Sequence, residues 1–288
     1  MIAPVAGQGK PFDESARARC VSPKAGELDN SHARFSVPAR KRLFDRPQLQ
    51  LSPFAPMAGQ ANFSSGIAAG QIMQDAKRFI RSNLPVAAVP GIAEIRLHKA
   101  LPSSRLGRLA RGDAKGFGSP YWAYHWAGGL ALARHILDNP GLVVGKRVLD
   151  LGAGSGVVAI AAAKAGANSV TAAETDPYAV AALDLNLELN AVAADVIAAD
   201  ITDSEPPPVD LVLVGDLFYS EALATRVTRF LDRCADAGIA ALIGDPWRAP
   251  LRLEQLEEQA RYEVAESGSP VPVAAGVFAF RPRGARFP

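Results

Sequence analysis

The stretch Val148-Leu149-Asp150-Leu151-Gly152-Ala153-Gly154-Ser155-Gly156 runs directly into the apolar segment Val157–Ala165. A strand that ends in closely spaced glycines ahead of a helix lets the backbone approach a ligand and aims helix N–H groups at it. Spacing decides which ligand. The dinucleotide fingerprint needs a glycine where Val157 stands, and a phosphate-cradling hydrolase loop needs Lys-Ser/Thr where Val157-Val158 stands. The loop carries no Lys or Arg to neutralise a pyrophosphate. The expected ligand therefore lacks phosphates, with Asp150, Gly152, Gly154 and Gly156 as its candidate contacts. Glu174 closes the next apolar run, where a carboxylate can accept both ribose hydroxyls of a nucleoside. Asp200 closes a third run, either within reach of an adenine amino group or as a solvated strand-end acid. A nucleoside held without phosphates indicates S-adenosyl-L-methionine.

Asp216-Leu217-Phe218-Tyr219 follows a further apolar run, Val209–Gly215, and so falls at the sheet edge where ligands of open α/β sheets lie. Methyl transfer from a sulfonium is an in-line displacement that needs a deprotonated nucleophile, aligned and shielded from water. Asp216 can accept a hydrogen bond from an amine, point its lone pair at the methyl group and stabilise the charge that develops. Tyr219 and Phe218 either wall an amine channel, since aromatic faces suit a methylated ammonium, or pack in the core. The chemistry requires no metal, and the four His and two Cys (Cys20 and Cys234) form no ligand cluster. Trp126 precedes Ala127-Gly128-Gly129, where small residues allow close approach, and is expected against the methionine or adenosine part of the cofactor. Trp122 lies four residues earlier, on the same face if the segment is helical, and is expected in the core. His125 is read as a polar packing residue. Asp245-Pro246 suits a loop cap and a substrate rim equally.

These residues need elements to carry them. From Met73 the pattern gives a short helix Gln74–Asn83, an extended stretch Pro85–Leu97, a loop Ser103–Gly118 and a helix Trp122–Leu137. Strands Arg147–Leu151, Ser169–Glu174, Asp195–Asp200, Val209–Gly215 and Ala240–Gly244 then alternate with helices Val157–Ala165, Pro177–Asn190 and Glu221–Ala235. A helix Leu251–Gln259 and two strands around Tyr262 and Phe278 finish the chain. Such alternation predicts a mostly parallel sheet covered by helices on both faces.

The 288 residues carry a formal charge of +2, and 49% are hydrophobic, the composition of a globular protein. The charge is uneven. Residues 1–72 hold nine basic and five acidic side chains, broken by prolines and without a hydrophobic period, and are read as a disordered extension. They match neither a secretory signal nor, given Asp13, Glu14, Glu27 and Asp29, a mitochondrial transit peptide. Residues 73–288 are the expected folded domain, with 73–140 a helical and extended cap and 141–288 the cofactor-binding core. That part is slightly acidic, so the basic total does not point to nucleic acid. No apolar run approaches the ~18 residues of a membrane span. A protein beginning at Met73 is expected to keep full activity.

From Arg78 onward the sequence resembles the class I, seven-stranded methyltransferases and, within them, the electron transfer flavoprotein β-subunit lysine methyltransferase family. The resemblance rests on Pro120–Gly129, Leu137-Asp138-Asn139-Pro140, the glycine loop, Leu185–Asn190, Gly215–Tyr219 and Ile243-Gly244-Asp245-Pro246. It implies a Rossmann-like seven-stranded α/β fold and transfer from S-adenosyl-L-methionine to a protein lysine. The motif at Asp216 would hold the target amine. The expected partner is the flavoprotein β-subunit, or another protein or small amine as acceptor, with no nucleic acid and no membrane. A monomer in the cytoplasm is expected, or in the mitochondrial matrix of a eukaryotic source.

Overall fold

A computed structural model describes residues 66–112 and 117–282. Its centre is a sheet built from β3 (Arg147–Leu151), β4 (Ser169–Ala173), β5 (Asp195–Ile197), β6 (Leu211–Gly215), β7 (Ala240–Asp245), β8 (Leu256–Val264) and β9 (Val273–Phe280). Their spatial order is β5-β4-β3-β6-β7-β9-β8. The first five run parallel, while β9 lies antiparallel between β7 and β8. The order reverses at β3, whose neighbours are β4 on one side and β6 on the other. That reversal opens a crevice at the carboxyl ends of the strands.

Period-2 alternation sends successive side chains to opposite faces. Val148, Leu211 and Leu213 pack beneath α3 (Ala127–Asp138), α4 (Val157–Lys164) and α5 (Pro177–Leu189). Leu149, Val212 and Val214 meet α6 (Glu221–Asp236) through Val227, Phe230 and Leu231. Both faces are covered, so these strands read as unbroken apolar runs. The hairpin of β1 (Val86–Val89) and β2 (Ile92–His98) closes the first layer with Val89, Ile92, Ile95 and Leu97.

Four expectations are corrected. The helix α1 (Gly66–Asn83, with a short α2 at Gly107–Gly112 after the hairpin) begins inside the stretch read as disordered, and packs Ala76 and Ile80 against α5 residues such as Ala179. A cut at Met73 would therefore remove its first seven residues; residues 1–65 lie outside the described residues. The expected helix Trp122–Leu137 is a short 3-10 turn, Tyr121–Ala123, followed by α3, with Trp126 extended at its N-cap. This helix packs directly on β7 and β9. The expected helix Leu251–Gln259 is a 3-10 turn, Leu253–Gln255, and then β8, because antiparallel pairing with β9 overrides the local helical pattern. Finally, β5 stops at Ile197, three residues short of Asp200. Among the described residues no helix is long and apolar enough to cross a membrane.

Candidate active site

Two constellations meet at the carboxyl edge of the sheet. The first is the loop between β3 and α4. Gly152, Gly154 and Gly156 all adopt positive φ, +73°, +52° and +82°. A side chain is excluded twice over at Gly152, where an added Cβ would come within 2.6 Å of Leu217 Cδ2. A Cβ added at Gly154 would lie 3.8 Å from Tyr121 Cε2, an ordinary contact, and the Gly154 N–H donates to Glu174 Oε2 at 2.8 Å.

Glu174, at the end of β4, is 4% exposed and ties the site together. Its Oε1 accepts from the Tyr121 hydroxyl at 2.8 Å and from the backbone N–H groups of Thr175 and Asp176 at 2.6 and 3.0 Å. Asp150 is buried beneath the loop, and its Oδ2 accepts the Ala159 N–H of α4 at 2.9 Å. It therefore braces the loop from below. Burial lifts its carboxyl to about 7, opposed by that N–H and aided by the charge of Glu174. Asp176 caps α5 by accepting from Tyr178 N at 2.8 Å, ahead of Pro177 at the first helical position. Its own burial raises it to about 6.

Asn186 on α5 donates to Ser155 O in the loop and accepts from His98 N of β2, both at 2.9 Å. Asn190, one turn on, exchanges hydrogen bonds with the Arg96 backbone. The two amides dock α5 on the hairpin and the glycine loop at once. Asparagines four apart, Asn186 on the buried face of the helix and Asn190 at its C-cap, were the available signal for this.

The second constellation surrounds Asp216, a non-glycine residue at φ +60°. Its Oδ1 accepts from Gly128 N at 3.0 Å and its Oδ2 from Gly129 N at 2.5 Å, so the carboxylate caps the first turn of α3. An added Cβ on Gly128 would lie 2.1 Å from Gly244 O. The bare backbone at 128–129 therefore allows close contact with β7 and Asp216. Arg248 Nη1 bridges Asp216 Oδ1 and Asp245 Oδ2, both at 2.8 Å. Asp245 is fully buried and accepts the Arg248 N–H at 2.7 Å, so Asp245 and Pro246 form a loop cap. The turn passes through Trp247 at φ +55°, whose ring meets Phe278 edge-on and carries the Arg261 guanidinium 4.3 Å from its centroid. Glu266, from the β8–β9 loop, accepts Ala127 N at 3.3 Å, and Ser267 pairs with the His125 backbone. Burial raises Asp245 and Glu266 above the usual carboxylate range. Burial also works against the charge of Arg248, yet its two carboxylates hold its pKa above the usual value.

Other candidates separate cleanly. Phe218 is buried against the α6 layer, matching the core alternative of its two readings. Tyr219 is 66% exposed, and its hydroxyl feels the charge of Glu174. Trp122 is buried, as expected. Trp126 is 37% exposed at the rim, with its Nε1 donating to Tyr121 O at 2.9 Å. His125 is buried and pushed down to about 4 by desolvation, so it stays neutral. Asp200 accepts from Thr202 and forms an ion pair with Arg226 at 2.6 Å. Sequence reasoning missed Tyr121, Asn186, Arg248 and Glu266, because their partners lie far away along the chain.

The residues present fit S-adenosylmethionine. The glycine loop leaves bare backbone at Gly154, Glu174 could supply a carboxylate for a ribose diol, and no cation in the loop asks for a phosphate. With an antiparallel β9 inserted between β7 and β8, fold and loop together define a class I, S-adenosylmethionine-dependent methyltransferase. A family model described as ribosomal protein L11 methyltransferase (PrmA) matches residues 134–237. Over 199 residues the chain is 37% identical to the electron transfer flavoprotein beta subunit lysine methyltransferase of Rattus norvegicus, covering 68% of this chain and 77% of that one. The protein of the same description from Danio rerio is 41% identical over 178 residues, 61% of this chain and 69% of its own. A ribosomal protein L11 methyltransferase of Citrifermentans bemidjiense is 40% identical over 114 residues, 40% of this chain and 37% of its own. The chain belongs to the electron transfer flavoprotein beta subunit lysine methyltransferase family and is an N-methyltransferase.

Proposed function

We propose that the acceptor is a lysine ε-amine of a protein, the electron transfer flavoprotein β-subunit, and that Asp216 orients it. The observation that carries this reading is the junction of the two constellations. Leu217 lies against Gly152, so Asp216 on one side of it and Tyr219 on the other flank the glycine loop. Asp216 has three hydrogen-bond donors on a carboxylate that offers about four acceptor positions, so one direction on Oδ2 is left for an amine. Three carboxylates, Asp216, Asp245 and Glu266, gather around Arg248, which suits a cationic side chain arriving from solvent.

Bound S-adenosylmethionine supplies an electrophilic methyl group on a sulfonium. The acceptor amine held by Asp216 would offer its lone pair to that methyl group, with a neutral thioether as the leaving group. The methylated ammonium then loses its proton to solvent. Glu174 and the backbone at Gly154 hold the nucleoside, Asp216 aims the amine, and the exposed ring of Tyr219 covers it from water. The acceptor sets the place of action, which we assign to the cytoplasm or, in a eukaryotic source, the mitochondrial matrix.

The names of the relatives support the flavoprotein subunit over ribosomal protein L11. The L11-type family match covers the cofactor loop and Asp216 but stops at residue 237, before Asp245, Arg248 and Glu266. Incubating the protein with methyl-labelled cofactor and purified flavoprotein β-subunit should label lysine. Label in L11 or in nucleic acid alone would overturn the acceptor.

A further inference from the structure

We propose that Arg248 is a positioning residue that sets the protonation state of the acceptor amine through Asp216. This rests on the reading of Asp216 as the group that receives the amine. A lysine must lose a proton before it can attack, and an unbalanced acidic site would hold it as an ammonium. Asp216 at the end of β6, Asp245 at the end of β7 and Glu266 in the β8–β9 loop form such a surrounding. The N-terminus of α3, through Gly128 and Gly129, offsets part of that charge. Arg248 supplies the remaining permanent positive charge, since a guanidinium does not titrate in this range. Its Nη1 sits 2.8 Å from both Asp216 and Asp245.

The placement is built. Asp216 and Trp247, two of the four described non-glycine residues with positive φ, flank the bridge. Left-handed backbone at such residues persists only where its surroundings enforce it. The turn is enforced by Asp245 on the Arg248 N–H, and by Phe278 and Arg261 packed against the Trp247 ring. A surface arginine serving only solubility would need none of this. With Arg248 in place, Asp216 offers a hydrogen bond to the amine without trapping it as an ammonium.

The test is the pH profile of kcat with the flavoprotein β-subunit and labelled cofactor. Arg248→Gln should move the acidic limb upward by about one pH unit, a loss of roughly tenfold near pH 7 that recovers in alkali. Arg248→Lys should keep the limb close to that of the parent protein. Asp245→Asn removes a negative charge instead and should move the limb the other way, so a poorly folding Arg248→Gln protein does not end the test. Loss that is uniform across pH, a change in KM alone, or limbs that move in the same direction would overturn the proposal. Asp216→Asn serves as the control for the underlying reading. If it retains full turnover the acceptor site is wrong, whereas an inactive Asp216→Asn with unmoved limbs sinks only the role of Arg248.

Discussion

The cofactor loop and the acceptor corner are neighbours with opposite construction. The loop is local: glycines at 152, 154 and 156 and Glu174 span one strand–helix–strand unit and are joined by backbone N–H groups. The acceptor corner gathers residues 127–129, 216, 245–248 and 266 from four separate segments, and charge holds it together. Binding a cofactor shared by many enzymes needs a repeatable backbone shape. Selecting and deprotonating one amine needs side chains placed from several directions.

The comparison breaks most sharply at Asp216. Asp216→Asn should cut kcat by about 10²–10³-fold, the cost of removing one oriented polar group from a catalytic site, while cofactor affinity stays within a few-fold. Label-transfer kinetics alongside calorimetry would show it, and a parallel loss of affinity would mean that the two regions are not separable. Glu174→Ala attacks the other region. Losing hydrogen bonds to a charged group, at ~1.5–3 kcal/mol, should weaken cofactor binding by roughly 10–100-fold. An unchanged Kd in calorimetry would remove Glu174 from the nucleoside site.

Gly128→Ala tests the backbone contact that brings α3 to Asp216. The added methyl group meets Gly244 O, and overpacking of this kind costs typically ~1–3 kcal/mol. The melting temperature should fall by about 2–4 °C per kcal/mol for a domain of this size. A melting temperature that does not change would mean the two backbones have room to part.

The smallest effect is a slope. The folded protein keeps the Asp150 proton up to about 7, whereas the unfolded chain releases it in the ordinary carboxylate range. Between those limits the folded state binds more protons, so this residue makes stability fall as pH rises and contributes no further change above about 7. Asp176 acts in the same direction up to about 6. In urea titrations across this range, Asp150→Asn should flatten the decline. Parallel curves for the two proteins would show that Asp150 carries no such proton.

Legibility followed locality. The glycine loop, the strands β3, β4, β6 and β7 and the helices α4, α5 and α6 were readable because apolar periodicity and turn chemistry act within a few residues. Leu251–Gln259 misled because its pairing with Val273–Phe280 decides its state. Phe218 and Tyr219 are adjacent aromatics with identical local credentials. Only the packing of α6 against the sheet buries one and leaves the other in solvent.

By its sequence alone this protein was a sheet-based binder of a phosphate-free nucleoside, with an acid poised at the sheet edge. Those features depend on backbone shape and residue order, which neighbours in the chain determine. The tertiary structure decided what surrounds that acid: the helix terminus it caps, the arginine that bridges it to Asp245, and Glu266 facing it from another hairpin. Electrostatic surroundings depend on distance in space, and residues 127, 216, 248 and 266 become neighbours only when the sheet closes.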